Sequence, residues 1–459
     1  ADSDNVAIGN YALKVAEGTG TVAIGSSALT ALTSGAGNVA VGYGALKENV
    51  SGGQNIAIGY GAMDGSGGTQ PSDSDHNTFI GTDSGGGDWS GGADAKNENN
   101  VCVGNYTMSG NLAGANYNTC IGYSSGASIS TSDGATAIGY LALNGITTGA
   151  GNTGIGYGAL KQHTTGARNT AIGYGAMDGT AEDDSPTSTD NVFIGYDAGG
   201  GAWDDGADST DDSNFNVGIG NYAMDAAMNG ALRNTAVGYQ AMSALTTGDS
   251  NAVLGKDAGL LIAGGSGNTC IGANSGDRIT NASENTLIGS DCDVYDTGST
   301  NQIVIGNTLT ATDLDNSVFI GNDTNHIQND FNADAVWSYS SDIRQKKDIE
   351  ESGLGLAFIN DLKPVKYRHR SPSEFPEEWK AYDPEDKVPM GGSDKYYYGF
   401  IAQDVKESID KYDAYDYGAW GSDQDGRQRI SKEQFVVSLV KAVQELSAEV
   451  ESLKEQLKA

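Results

Sequence analysis

Along residues 1 to about 325 a short apolar motif keeps returning. Val6-Ala7-Ile8-Gly9, Val39-Ala40-Val41-Gly42 and Ile56-Ala57-Ile58-Gly59 are typical, each preceded by Asn and often followed by Tyr-x-Ala-Leu/Met. Val6 and Ile8 share one face of an extended segment while Ala7 points to the other, so the period of two predicts strands. Eighteen such units run from Gly9 to Gly321, mostly 15 to 18 residues apart. Repetition at this period predicts a solenoid, each unit holding two short strands and two turns. Glycine falls where the chain must turn, and Asn at one place in every coil can stack into a hydrogen-bonded ladder. Seventeen steps of about 4.8 Å give a length of roughly 80 Å. A coil this thin leaves apolar positions wet in a single chain, which predicts lateral association of several chains.

A longer period lies over the first. From Gly42 the spacings are 17, 22, 23, 18 and 17, and from Gly156 they are 17, 22, 25, 18 and 17, so a block of about seven units is duplicated. The wide spacings mark insertions at residues 64–77, 82–99, 178–190 and 197–215, rich in Gly, Asp and Ser. Trp89 and Trp203 hold matching places in the second and fourth. Exposed on a rigid scaffold, they would suit sugar stacking and are candidate receptor contacts; as lids over the edge of the roll they would be structural. Asp204, Asp205, Asp208, Asp211 and Asp212 could hold Ca²⁺, but no 12-residue calcium-loop spacing is present, and no metal ligand is assigned.

The pattern changes after the array. Residues 326–340 read as a linker, with Phe331, Val336, Trp337 and Tyr339 as apolar members. Leu354, Phe358, Ile359 and Leu362 have helical spacing that Pro364 ends. Val436, Leu439, Val443, Leu446, Val450, Leu453 and Leu457 alternate three and four apart, the seam of a short coiled coil. Domain boundaries follow at 1–325, 326–340 and 341–459.

Composition narrows the partners. With 67 Gly and 38% apolar residues in 459, an ordinary globular core is excluded. Residues 1–340 carry 8 Lys+Arg against 36 Asp+Glu, and residues 341–459 carry 18 against 24. Such acidity disfavours nucleic acid and anionic membrane surfaces, and no stretch has the length of a membrane span. Four Cys are too few for a disulfide scaffold; Cys102, Cys120 and Cys270 stand where other coils have Ala, as small buried hydrophobes.

The Asn-x-Val-Ala-Ile-Gly units resemble the left-handed parallel β-roll heads of trimeric autotransporter adhesins, also found in phage fibres. That likeness implies a homotrimer. Four motifs in order resemble the C-terminal intramolecular chaperone of phage tailspikes and fibres, including the self-cleaving end of endosialidase tailspikes. They are Ser341-Asp342-x-Arg344-x-Lys346, Leu-Lys-Pro-Val-Lys-Tyr at 362–367, Gly399-Phe-Ile-Ala-Gln-Asp-Val405 and Ser438-Leu-Val-Lys-Ala-Val-Gln-Glu-Leu446. The resemblance implies an α+β chaperone domain that nucleates a trimeric fibre and then cuts itself off between Ser340 and Ser341. Ser341 would be the nucleophile and Lys346 its base, with Asp342 and Arg344 shaping the site. Gln345 stands where the family often has Leu, and Lys347 is the rival base. Without the flanking motifs, Ser341 and Asp342 would read as helix caps and Lys346 as a solvated charge.

The expected function is a virion tail fibre or receptor-binding protein, facing the host and binding a cell-surface receptor, a glycan in the simplest case. It would act as a single-turnover Ser-Lys endopeptidase on itself, with no cofactor. A polysaccharide-degrading tailspike is the alternative from another class, against which the roll shows no recurring carboxylate pair; a cellular trimeric adhesin is a further one.

Overall fold

The computed structural model describes residues 4–15, 18–65, 74–89, 96–179, 187–203, 212–331, 343, 346–377, 379, 382–389, 396–415, 417–422 and 426–458. It divides into two compact units, Ala1–Tyr339 and Ser340–Ala459.

The first unit is a parallel β-solenoid. Strands β1 (Val6–Ile8) to β16 (Thr286–Ile288) are three residues each, followed by β17 (Cys292–Asp293), β18 (Gln302–Asn307), β19 (Leu309–Thr310) and β20 (Ser317–Asn322). Sixteen three-residue strands, β18 and β20 form one ladder in which each pairs in parallel with the next coil's, residue for residue: Val39 with Ile56, Ala40 with Ala57, Val41 with Ile58. From the second coil on, the middle residue of each triplet is buried and its two neighbours are not. The third residue of each triplet forms an outward band of Ile, Val and Leu along the sheet, Ile8 being 59% exposed and Leu254 51%, while the first is Thr in eight of the sixteen strands.

Two features hold the coils in register. The motif glycine is irreplaceable for two reasons: Gly42 has φ +139°, and a Cβ there would lie 2.1 Å from the Gly59 carbonyl oxygen of the next coil. The asparagines form the expected ladder. Asn268 N–H donates to Asn251 Oδ1 (2.9 Å), and the Asn268 amide also donates to that oxygen and to the Ala282 carbonyl. These are fully enclosed polar groups, each satisfied by its neighbour coil. Ala135 interrupts the ladder, and there the Ser132 hydroxyl donates to the Gly149 carbonyl at 2.6 Å.

The duplicated block measures six coils rather than seven. Phe79 on the fifth strand and Phe193 on the eleventh are its matched members, each filling the inner position that holds Ala, Gly or Cys in every other strand from β2 to β13. The expected linker also begins later. Residues His326–Asp330 form β21, antiparallel to β20, because the Asn322–Asn325 turn folds the chain back: Asn322 N–H donates to the Asn325 carbonyl at 2.9 Å. The unpaired edge of the last coil is thereby covered.

An outer stripe accompanies the sheet. Tyr106, Tyr123, Tyr140, Tyr157, Tyr174, Tyr196, Tyr222 and Tyr239 contact one another coil by coil, with centroids 4.7 Å apart at Tyr157–Tyr174 and 6.0 Å at Tyr222–Tyr239.

The second unit has a small core of Phe358, Leu362, Val405, Ile409, Ala419 and Phe435. Around it lie α1 (Leu356–Asp361), β22 (Val365–Tyr367) paired antiparallel with β23 (Tyr397–Gly399), α2 (Ala402–Lys411), the hairpin β24 (Trp420–Ser422) and β25 (Gln428–Ile430), and α3 (Phe435–Gln456). The helix expected before Pro364 is α1, and the heptad segment is α3.

Candidate functional site

The cleavage motif opens the second unit. Ser340, Ser341, Asp342, Arg344 and Gln345 lie outside the described residues. Of the dyad, Lys346 is described: it is exposed, and its N–H closes a turn onto the Ile343 carbonyl at 3.1 Å. Lys347 beside it is exposed too, and Ile343 is 72% exposed. An amine must be desolvated or crowded by positive charge to act as a neutral base near pH 7. Within one chain Lys346 lacks the first of these.

The segment after Lys346 is tied to α3. Lys441 Nζ pairs with the Glu351 carboxylate, which that ammonium holds below the usual carboxylate range. Glu445 Oε2 accepts the Leu356 N–H at 2.7 Å and so caps α1 from outside. On the far side of α1, Asp361 binds Lys411 Nζ at 2.5 Å and the Tyr412 hydroxyl at 2.6 Å, and its carboxyl is held low by both. These links fix α1 between α2 and α3.

The face α3 turns outward is apolar. Val436, Leu439, Val443, Leu446, Val450, Leu453 and Leu457 are all exposed, Val443 at 64% and Leu457 at 87%. A soluble helix does not leave such a seam wet without reason. On β22, Lys366 Nζ sits 4.1 Å from the Tyr396 ring centroid, and just beyond it the Arg368 guanidinium carbon is 4.6 Å from the same ring.

In the roll, the candidate receptor contacts are corrected. Trp89 is 2% exposed and Trp203 3%, and each packs on the enlarged inner residue of its own coil, Phe79 at 6.0 Å and Phe193 at 5.6 Å. Rings enclosed in this way cannot stack on a sugar, so the lid reading replaces the receptor one. The physical reason is the widened coil: Phe enlarges the interior and Trp closes it, with Trp89 Nε1 donating to the Gly85 carbonyl at 3.0 Å. The signal was present in the sequence as Phe in place of Ala in the coil that also carries Trp.

Asp204, Asp205, Asp208 and Asp211 lie outside the described residues, and the Asp212 carboxylate is engaged by Thr187 N–H at 3.2 Å. Among the described residues no group of three or more His, Cys, Asp or Glu is placed to hold a metal ion. The three stacked-position cysteines, Cys102, Cys120 and Cys270, are buried thiols, and burial pushes Cys270 up to about 12. No helix among the described residues is long and apolar enough to cross a membrane.

Two buried titratable groups depart from the repeat. His163 is fully enclosed, its imidazole pushed down to about 4 by burial. Asp293, at the C-terminal end of the roll, is raised well above the carboxylate range by burial and by the neighbouring Asp277 carboxylate, with Arg278 opposing at 3.5 Å.

Residues 341–413 match the family model described as chaperone of endosialidase. No curated protein and no solved structure matches the chain. A long parallel β-solenoid followed by a segment of that family is a tailspike-like organisation, with an intramolecular chaperone at its C-terminal end.

Proposed function

We propose that the chain is one protomer of a trimeric phage tail fibre or tailspike, whose C-terminal unit aligns three chains and then removes itself. The observation that carries this reading is the uncovered heptad seam of α3 directly behind the segment that matches the chaperone family. The Val and Ile band along the roll supports it, because a surface of that length needs a cover and identical chains in register supply one. A short helical bundle is quick to form, whereas parallel β pairing is slow, so the bundle sets the register for the roll.

In the cleavage step Ser341 Oγ attacks the Ser340 carbonyl carbon. Lys346 takes the hydroxyl proton and returns it to the Ser341 nitrogen as the peptide bond breaks, leaving an ester. Water then hydrolyses the ester to a Ser340 carboxylate and a free Ser341 hydroxyl. Lys346 is exposed in one chain, so its desolvation would come from sister chains closing around it, with Arg344 and Lys347 adding positive charge. Cleavage would then report assembly.

Purified wild-type chain should run on denaturing gels as two pieces separated at Ser340–Ser341, with N-terminal sequencing of the smaller beginning at Ser341. Ser341→Ala and Lys346→Ala should remain whole and trimeric, while Lys347→Ala still cuts. Cleavage of Ser341→Ala at this bond would refute the dyad. The roll in this reading is the host-facing part of a virion and binds a cell-surface glycan. Adsorption of labelled trimer to host cells, before and after enzymatic removal of surface polysaccharide, tests that role, and equal adsorption to both would contradict it.

A further inference from the structure

The turn of α3 that carries Lys441 and Glu445 is the last with support from its own chain. Phe435, Ser438 and Ala442 are buried, and from Val443 to Lys458 no residue is. From this turn two side chains reach back to the chain beyond Lys346. Lys441 holds Glu351, and Glu445 holds the Leu356 N–H. Gly355 lies directly under the Glu445 carboxylate, where a Cβ would come within 2.3 Å of Oε2, so a larger residue would push the cap aside. Packing supports this grip at the base of α3, where Phe358 of α1 and Phe435 share the core. A cleft of about 680 Å³ separates α1 from α3, lined by Leu356, Ala357, Asn360, Glu445, Ala448 and Ser452. Beside the cleft the polar links hold residues 351–356 to the helix.

The two faces of α3 are separate. Lys441, Glu445, Ala448 and Ser452 repeat in step with the seam but two residues on from Leu439, Val443, Leu446 and Val450, which is about 200° around the helix. One side can therefore bind sister chains while the other keeps hold of residues 351–356. A helix end with no buried residue is marginal alone and becomes firm when its seam is covered.

We propose that Lys441 and Glu445 are positioning residues for self-cleavage. By holding Glu351 and the Leu356 N–H they anchor the chain downstream of Lys346 to α3, so that the helix whose other face associates with sister chains also sets the position of the cleavage segment. This rests on the cleavage reading above. Ser341 and Lys346 keep their roles, and the acyl shift and hydrolysis are unchanged.

The test follows cleavage of the full chain over time on denaturing gels, with light scattering of the same samples for oligomeric state. Glu445→Ala and Lys441→Met should cut about tenfold more slowly or worse while still trimeric, since small misplacements at a reacting centre carry penalties of that size. Glu445→Gln, which keeps an acceptor oxygen, should retain most of the rate. Glu351→Lys and Lys441→Glu should each be slow, and the charge-swapped double variant should recover, a rescue that general destabilisation would not show. Trimeric Glu445→Ala and Lys441→Met cutting at the wild-type rate would overturn the proposal, as would a double variant no faster than its parents. Should Glu445→Ala fail to associate, the charge-swap series decides by itself. An intact wild type, or a cleaved Ser341→Ala, would instead remove the cleavage reading and this proposal with it.

Discussion

Where the first block of the roll has Asn49, the second has His163, seven residues after the motif glycine in both. Asn49 donates its amide to the Gly52 carbonyl at 2.9 Å. His163 Nε2 lies 3.0 Å from Asn169 Nδ2. Its proton affinity is low in the folded chain, about 4 against an ordinary 6.5. The unfolded chain therefore binds the proton first, and stability present above pH 6.5 is lost as the pH falls toward 4, in total about 3 kcal/mol. His163→Asn should abolish that part of the acid sensitivity, read as a smaller difference between unfolding temperatures at pH 7.5 and pH 4.5. Asp293 has the opposite sign. Its folded carboxyl is raised, so its contribution is complete below the ordinary 3.8 and is lost as the pH rises through the raised value. Asp293→Asn should make the C-terminal coils less sensitive to alkaline pH, seen as slower amide exchange near β17 and β19 at pH 8 relative to wild type. The position of His163 is legible in the repeat, but its enclosure is not, because burial depends on the stacked coils above and below. The same holds for Trp89 and Trp203, whose polar sequence neighbours suggest exposure while the widened coil encloses them.

At the scale of elements, the strands and the Asn ladder are legible because both are periodic: alternation fixes which residue faces inward, and repetition fixes what it stacks on. Asn251→Ala should leave the buried Asn268 N–H and the Gly265 carbonyl each without a partner, a loss of about 1–3 kcal/mol for each group. The expected observation is a lower unfolding midpoint with local loss of exchange protection at Asn268. Helix α2 was not legible as a helix. Gly399-Phe400-Ile401 leads straight into it without a side-chain cap, and its buried residues are only Val405, Ser408 and Ile409. In α3 the seam was legible, and what it omitted is the second face that grips α1, since Lys441 and Glu445 look like ordinary solvated charges between apolar positions. Leu446→Asp with Leu453→Asp should prevent association and cleavage together, because two charges in a seam would have to be desolvated on every chain. Light scattering showing a trimer of this double variant would break the link between seam and assembly.

For the molecule as a whole, seventeen steps from β1 to β20 span about 80 Å at the spacing of parallel strands. Scattering from a compact monomer would contradict the proposed parallel trimer. If the C-terminal unit sets the register and then leaves, the cleaved roll keeps its stability through a slow unfolding rate rather than through ready refolding. Chains truncated after Ser340 should therefore fail to regain the trimer from denaturant, whereas full-length Ser341→Ala chains should recover it, measured by the yield of trimer after dilution. The two-part organisation was legible from the change of composition near residue 340. The end of the roll was not, because β21 reverses direction through an Asn-rich turn that carries no repeat motif.

Each motif glycine rests on the backbone of the next, with no side chain between them to adjust the gap, as at Gly156, where a Cβ would stand 2.1 Å from the Gly173 carbonyl oxygen. The roll is therefore a ruler with fixed graduations. Coils of 22, 23 and 25 residues carry extra sequence without altering the mark, their strands pairing in the same register as the rest. Unequal recombination within the gene can add or delete whole coils at about 4.8 Å each, or a six-coil block at about 29 Å, and every product keeps its register. Reach becomes a quantity that changes in whole numbers.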